Sequence, residues 1–514
     1  MQTLALAVVF LAGACATQDT KYALEYDPGR ASEIFTIGYQ DVSDIYIENL
    51  RISQMALASL DGLSSIDPGI DVAVEEDHFS LQLDGKETAR FSRPGDGDVE
   101  AWGHLTATAI ETGRSQSQLL STAEAEAVYK ATFGGLISEL DDYSRYAGRD
   151  QARENRASRD GFGGIGVRIR MVDEGVKVLS VMENTPAEIA GLMDQDLIVA
   201  IDGQSAAGIS QQEAVRRLRG PIRSKVRLTV ARESAGDDVL ISVVRAHIVP
   251  QTIKYTREGN VAYIRIAGFN QDTSRTLRKK ILIAEQEIGS DLRGFVLDLR
   301  GNPGGLLDQS VEVSDLFIRR GRIVSTHGRH PDSHQFFEAE SDDLANGLPI
   351  VVLVNGGSAS ASEIVAAALQ DAGRAVLVGS NSYGKGTVQT VLRLPNEGEL
   401  TLTWARFHAP SGYALQKRGV LPHVCTSGEN QNVDQLIGKI RTGHALIDWS
   451  LRSKDVTNAG DDTVAALRAQ CPLTESDQEI DLQVALRILR DEALYTQVVR
   501  SAPATALRSA TSAN

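Results

Sequence analysis

Between Val261 and Val424, short apolar runs alternate with longer segments of helical periodicity, and that alternation leaves few architectures open. Strands are expected at Val261 to Ile266, Gly294 to Leu299, Ile350 to Val354 and Ala375 to Gly379. Helices are expected through Thr273 to Ile288, after Gly305 and from Ala361 to Asp371. Such a βα order indicates an α/β domain, placed at residues 251–425.

The flanks read differently. From about Tyr22 to Ala147 the pattern is mainly helical, with apolar residues three and four apart in Val42 to Leu60 and in Ala123 to Leu140. Pro94-Gly95-Asp96-Gly97-Asp98 forms an exposed turn between them. This gives a helical amino-terminal region, residues 15–155, and the charged segment Asp150 to Asp160 then reads as a linker. After Cys425 the chain is largely helical again over residues 426–500, with Ile480 to Ala493 amphipathic, and residues 501–514 have the composition of disorder.

Residues 160–248 carry β-like runs at Ile165 to Ile169, Val176 to Val181, Leu197 to Ile201 and Val226 to Val230, with an amphipathic helix at Gln211 to Arg219. Together with Gly161-Phe162-Gly163-Gly164-Ile165-Gly166-Val167 and Thr185-Pro186-Ala187-Glu188-Ile189-Ala190-Gly191-Leu192, this order resembles a bacterial PDZ domain. Such modules add an extended chain to a sheet edge while loop amides take its terminal carboxylate, which makes Gly164, Ile165, Gly166 and Val167 the candidate peptide-binding residues. The chain departs from the usual PDZ pattern at Gln195 and at Arg223-Ser224, where glycine and Gly-Thr are common.

Composition narrows the partners. Of 514 residues, 42% are apolar and the formal net charge is −16. With no long basic run, the chain lacks what phosphate backbones reward, so a nucleic-acid partner is not expected. No Cys or His cluster has zinc-ligand spacing, and neither a metal nor another cofactor is implied. Leu4 to Ala14 is too short for a membrane span and suits the core of a signal peptide, residues 1–14. Ala12-Gly13-Ala14 before Cys15 fits a lipoprotein cleavage site, so Cys15 is a lipidation candidate, the location exported and periplasmic, and a lipid anchor the one expected tie to the membrane. In an oxidising compartment Cys425 and Cys471 are a candidate disulfide pair, with two independent thiols as the alternative.

The chemistry centres on Ser358-Ala359-Ser360-Ala361-Ser362-Glu363 and on Lys385, held between glycines in Gly384-Lys385-Gly386-Thr387-Val388-Gln389. Ser360 should lie at a helix amino terminus, where unsatisfied amides favour developing negative charge; the plainer role for such a serine is to cap the helix. A lysine can serve a serine as base only when neutral, and its ordinary pKa of about 10.4 must fall by roughly three units, which requires burial. If Lys385 to Val391 is extended, positions 385 and 389 fall on one face.

These segments, with Leu140-Asp141-Asp142-Tyr143-Ser144-Arg145-Tyr146, Asp298-Leu299-Arg300-Gly301-Asn302-Pro303-Gly304-Gly305 and Gly419-Val420-Leu421-Pro422, resemble the C-terminal processing peptidases, or tail-specific proteases, from roughly Phe35 to Val424. The resemblance implies a serine endopeptidase with Ser360 as nucleophile, Lys385 as general base, Gln389 orienting the lysine, and the amides of Gly305 and Ala361 as the oxyanion hole. Its partners would be proteins or peptides with exposed carboxyl termini, and the helical flanks are candidates for self-association or adaptor docking. The fold class expected is α/β and α+β multidomain: a βα-alternating Ser-Lys protease core, a small PDZ-like β domain and helical terminal regions.

Three rivals stand beside this. Gly379 to Gly386 nearly completes a phosphate-binding loop, but Gly386 lacks the hydroxyl and the following residues look like a strand. A Ser-His-Asp hydrolase would have to use His408 or His423, and His423 stands where relatives usually have Asp. The third is a non-catalytic PDZ scaffold that binds protein tails.

Overall fold

The computed structural model describes residues 25–232, 236–428, 432–443, 447, 461–475 and 479–501. The expected signal segment, Cys15 and the tail beyond Ser501 lie outside the described residues. Two compact units are formed. The first joins the described residues up to Arg153 with Thr326–Gln335 and Thr387–Phe407; the second joins the described residues of Glu154–Ser325, Phe336–Gly386 and those from His408 onward.

In the second unit the alternating region builds a sheet of strand order Ile253–Glu258, Val261–Ile266, Gly294–Asp298, Ile350–Val354, Val376–Gly379 and Val424–Cys425. The first pair is antiparallel and the rest are parallel. The helices Thr273–Ile288, Leu307–Asp315 and Ala361–Asp371 connect them. Every residue of Gly294–Asp298, Ile350–Val354 and Val376–Gly379 is buried, as parallel strands covered on both faces must be. Val351, Leu353, Val376 and Val378 share one apolar cluster with Leu436, Ile437, Val484, Ile488 and Val498. The helices Val433–Arg441, Glu479–Leu489 and Glu492–Ser501 therefore spend their apolar faces on this sheet. Each such Val, Leu or Ile contributes about 1.5–3 kcal/mol by leaving water.

The same unit holds the small β domain, with strand order Val239–Val244, Lys225–Ala231, Leu197–Ile201, Gly175–Val181 and Val167–Val172. The helix Gln211–Leu218 turns Ala214 and Leu218 into a core of Val176, Val178, Ile198, Val226 and Leu228. Phe162–Gly164 pairs with Ala246–Ile248. Gln195 and Arg223, the two departures from the PDZ pattern, have φ of 69° and 72°. That left-handed backbone costs a side chain its Cβ clash and is why glycine suits both places.

In the first unit the helices Pro28–Ile45, Ile52–Asp61, Val99–Gln116 and Ala125–Ile137 enclose Ile34, Phe35, Tyr39, Trp102 and Phe133. Two local expectations differ. The region read as mainly helical also contains an antiparallel sheet, Ile70–Val74, His78–Leu83 and Lys86–Ser92. Its hairpin turns on Asp84-Gly85 with φ of 52° and 74°, the positive-φ pair that matches strand twist. The expected linker is instead the helix Arg149–Asp160, with Ala152 and Ala157 buried; its Arg, Gln, Glu and Ala are good helix formers, uninterrupted by Gly or Pro.

The Leu140 to Tyr146 motif ties this unit to its hairpin Thr387–Arg393 and Glu399–His408. Asp141 accepts the backbone N–H groups of Tyr143 and Ser144 at 3.0 and 2.8 Å, and Ser144 Oγ accepts the N–H of Thr403 at 3.1 Å. Tyr146 stacks on Phe133 at 4.6 Å and accepts from Asn396 Nδ2 at 2.7 Å.

Helices Ile52–Asp61 and Ala125–Ile137 approach closely enough that a Cβ on Gly135 would lie 2.0 Å from Ala58 O, whereas one on Gly134 would meet nothing within 4 Å. Adjacent substitutions should therefore act in opposite directions. Gly134→Ala should gain up to about 1 kcal/mol of helix propensity, and Gly135→Ala should lose about 1–3 kcal/mol to overpacking. Urea unfolding of the two variants checks this, and equal effects would contradict the close approach.

Candidate active site

Three neighbouring parallel strands, Gly294–Asp298, Ile350–Val354 and Val376–Gly379, release their loops at the same carboxyl edge of the sheet. That edge is where ligands meet open α/β sheets. The first loop carries Gly304 and Gly305, the second Ser360 and the third Lys385.

Ser360 immediately precedes the fully buried helix Ala361–Asp371 and has φ 55° and ψ −115°. A non-glycine residue in that region is strained and persists only where its surroundings hold it. The hold is Glu363. Its carboxylate, 0% exposed, accepts the N–H of Ser360 at 2.8 Å, of Gly384 at 2.7 Å and of Lys385 at 2.9 Å, together with the hydroxyl of Ser382. One buried side chain thus binds the backbone of the serine loop and the backbone of the lysine loop. Burial pushes its carboxyl up to about 7, against the opposing pull of the Ser382 hydroxyl and the Gly384, Ser360 and Lys385 amides.

Asn302 performs the corresponding task between the glycine turn and the serine. It is fully buried, its carbonyl accepts the N–H of Ala359 at 3.0 Å and the hydroxyl of Ser362 at 2.9 Å, and its Oδ1 accepts the N–H of Gly304 at 2.9 Å. Gly304 has φ 103°, and a Cβ there would lie 2.9 Å from Ser360 Cβ and 3.0 Å from Ala361 N. At Gly305, φ 148°, a Cβ would lie 2.1 Å from Phe269 O. Both positions need glycine for close approach of backbone to backbone. Gly305 is exposed and Ala361 buried.

Lys385 is half-buried and precedes the strand Thr387–Arg393. Lys417 N–H donates to Gly384 O at 2.8 Å and Gly386 N–H to Gln416 Oε1 at 2.8 Å, which brace the loop. The Gly419 to Pro422 motif lies beneath it: Val420 N–H donates to Ser382 Oγ at 2.7 Å, and a Cβ on Gly419, φ 71°, would lie 2.6 Å from Ser382 O. Gln389 belongs to the first unit, where its Nε2 donates to Thr387 Oγ1 at 2.9 Å and to Thr403 Oγ1 at 3.1 Å. Thr387 and Gln389 share a strand face, while Lys385 stands ahead of the first paired residue, so strand alternation does not reach it.

The other candidates also have definite places. The residues after Gly386 form a strand, whereas a phosphate loop opens a helix. His408 ends the strand Glu399–His408. His423 is buried with Nδ1 accepting the N–H of Leu377 at 2.9 Å. Cys425 and Cys471 are bonded, with S–S 2.09 Å. Among the described residues no group of three or more His, Cys, Asp or Glu could hold a metal, and no helix is long and apolar enough to cross a membrane.

Gly164, Ile165, Gly166 and Val167 line a cleft of about 90 Å³ in the small β domain, completed by apolar Ile169, Met182, Val215 and Leu218. At its rim the Arg219 guanidinium lies 3.9 Å over the Phe162 ring and 2.8 Å from Glu154.

Sequence reasoning assigned no role to Glu363 or Asn302. For Glu363 a signal existed, since Ser360-Ala361-Ser362-Glu363 has the Ser-x-x-Glu spacing of a capping box. For Asn302 there was none, because its partners beside the serine, Ala359 and Ser362, lie some sixty residues away.

Comparison with known proteins bears on this arrangement. Residues 260–426 match the model of peptidase family S41, and residues 177–232 match a PDZ domain model. The carboxy-terminal-processing protease of Bartonella bacilliformis is 36% identical over 382 residues, covering 74% of this chain and 86% of that protein. A probable CtpA-like serine protease of Staphylococcus aureus (strain COL) is 35% identical over 59% of this chain and 60% of its own length. The solved photosystem II D1 C-terminal processing protease aligns over 72% of this chain and 92% of its own, at 24% identity and a TM-score of 0.35. An identity of 36% sustained along most of both chains is decisive: the chain belongs to peptidase family S41 and is a serine-type peptidase.

Proposed function

We propose that this peptidase is an exported endopeptidase that captures an exposed carboxyl-terminal tail in its PDZ cleft and cleaves upstream bonds with a Ser360–Lys385 dyad. The observation that carries the reading is Glu363, whose buried carboxylate binds backbone N–H groups of both Ser360 and Lys385. In the mechanism, Ser360 Oγ attacks the scissile carbonyl carbon as neutral Lys385 Nζ takes the hydroxyl proton. The oxyanion is held by the N–H groups of Gly305 and Ala361, with single donors of this kind worth about 3–4 kcal/mol. The lysine ammonium then protonates the departing amine, and water, deprotonated in turn by Lys385, resolves the acyl-enzyme. Gln389 orients the lysine in this scheme, a role carried over from the family resemblance.

The cleft walls of Ile165, Val167, Ile169, Met182, Val215 and Leu218 suit an apolar terminal side chain, and loop amides suit its carboxylate. Export is supported by Leu4 to Ala14, with Cys15 the residue that would be acylated and the periplasm the compartment.

Three outcomes follow. With an unfolded polypeptide bearing an apolar carboxyl terminus, Ser360→Ala and Lys385→Ala should each lower kcat by at least about a thousandfold, while His408→Ala stays near wild type. Persistent cleavage by the lysine variant would sink the dyad. Amidating the tail, or ending it in Asp, should raise KM by about tenfold, or 1.4 kcal/mol, with kcat little changed; indifference to the tail would remove the PDZ cleft from the reading.

The third concerns pH. Glu363 has a folded pKa of about 7 against an ordinary 4.5. The folded state thus binds a proton that the unfolded chain has released between those values, and stability should fall as pH rises through that window by about 3 kcal/mol. Glu363→Gln should flatten this part of the pH–stability profile and lower kcat at least about tenfold, since an amide NH2 would face backbone donors. Thermal melts from pH 4 to 8 read the first effect and initial rates the second.

A further inference from the structure

The segment Arg468–Glu475, which begins in the last turn of the helix Asp461–Ala469, is tied to both loops of the proposed dyad. Thr474 O accepts the N–H of Gly356 at 2.7 Å, and Glu475 O accepts Asn355 Nδ2 at 2.9 Å; both donors lie in the loop that leads to Ser360. A Cβ on Gly356 would lie 2.0 Å from Leu473 Cδ2, so the segment lies directly against that loop. On the lysine side, Thr474 N–H donates to Ser380 Oγ at 3.2 Å, and Arg468 Nη1 donates to Tyr383 O at 3.2 Å and to Lys417 O at 2.9 Å. Lys417 is itself the residue whose N–H holds Gly384 O.

This strap is fastened at Cys471, which is 0% exposed and bonded to Cys425 at the end of the outermost parallel strand. The two cysteines stand 46 residues apart in sequence. The cross-link removes most of the freedom that a stretch of this length would have to leave the sheet edge.

We propose that Arg468–Glu475 is a positioning strap that keeps the serine and lysine loops in register, and that the Cys425–Cys471 disulfide holds it in place, so that reduction by a thiol lowers turnover. The proposal rests on Ser360 and Lys385 being the reacting pair. In the reduction a dithiol supplies two electrons and two protons, Cys425 and Cys471 become thiols, and the dithiol leaves as its cyclic disulfide. None of the strap residues is asked to touch substrate. Arg468, Leu473 and Thr474 act through the loops they bind.

The test uses the full chain, oxidised and after dithiothreitol treatment, beside a Cys425→Ser/Cys471→Ser double variant. Reduction is expected to lower kcat at least tenfold with KM within about twofold, and the double variant to sit at the reduced level and ignore dithiothreitol. Hydrogen exchange should quicken in peptides spanning Asn355–Ser362 and Ser380–Gly386 while the PDZ strands keep their protection. Because the double variant could fail to fold, Arg468→Ala and Arg468→Lys supply a second line: the alanine should lower kcat several-fold at unchanged melting temperature, and the lysine should recover part of it. Reduced protein with unchanged exchange in both loops, or Arg468→Ala with wild-type kcat, would overturn the strap. Activity surviving in Ser360→Ala would instead overturn the dyad and leave the exchange result to decide the strap.

Discussion

A carboxylate excluded from solvent must find donors for its lone pairs, and Glu363 finds them on two different loops. Because its partners are mostly backbone N–H groups, it fixes the path of the chain rather than any one side chain. The strained φ of Ser360 is sustained by this contact, since a backbone outlier survives only where its surroundings over-determine it. The cost is a carboxyl that is hard to ionise, and the hydrogen bonds that hold the loops are the same ones that offset the cost.

Around this contact the parallel sheet supplies stiffness. Its central strands are buried throughout, and the charged residues at their edge are paired. Burial alone would raise the carboxyl of Asp298, but the hydrogen bonds and charge of Arg300 together with the Tyr263 hydroxyl hold it below its usual range. Arg300 reaches on to Asp481 at 3.1 Å and so links the glycine-turn loop to the helix Glu479–Leu489. The carboxyl-terminal helices are accordingly a layer of the protease itself. The apolar residues of Val433–Arg441, Glu479–Leu489 and Glu492–Ser501 lie against the sheet.

Much of this was legible along the chain, and the reason is local. The strands and helices named from periodicity in the alternating region fall within a residue or two of the observed bounds, whereas the strands Ile253–Glu258, Arg322–His327, Gln335–Glu338 and Glu399–His408 were not read from sequence. The Asp84-Gly85 hairpin was legible too, as a positive-φ turn pair, but was submerged in a region whose average texture is helical. The helix Arg149–Asp160 was obscured because its charged face outweighs two buried alanines in any count of apolarity.

The sequence by itself determined the protease fold class and the serine and lysine motifs, because each depends on residues near one another along the chain. Only the tertiary structure decided that Glu363 joins the serine and lysine loops, that Asn302 joins the glycine turn to the serine, and that a strap from beyond residue 467 underlies them both. Those contacts carry no periodicity. They exist because parallel strands bring distant loops to one edge of a sheet, where a buried polar group must be satisfied by whatever the fold has placed beside it.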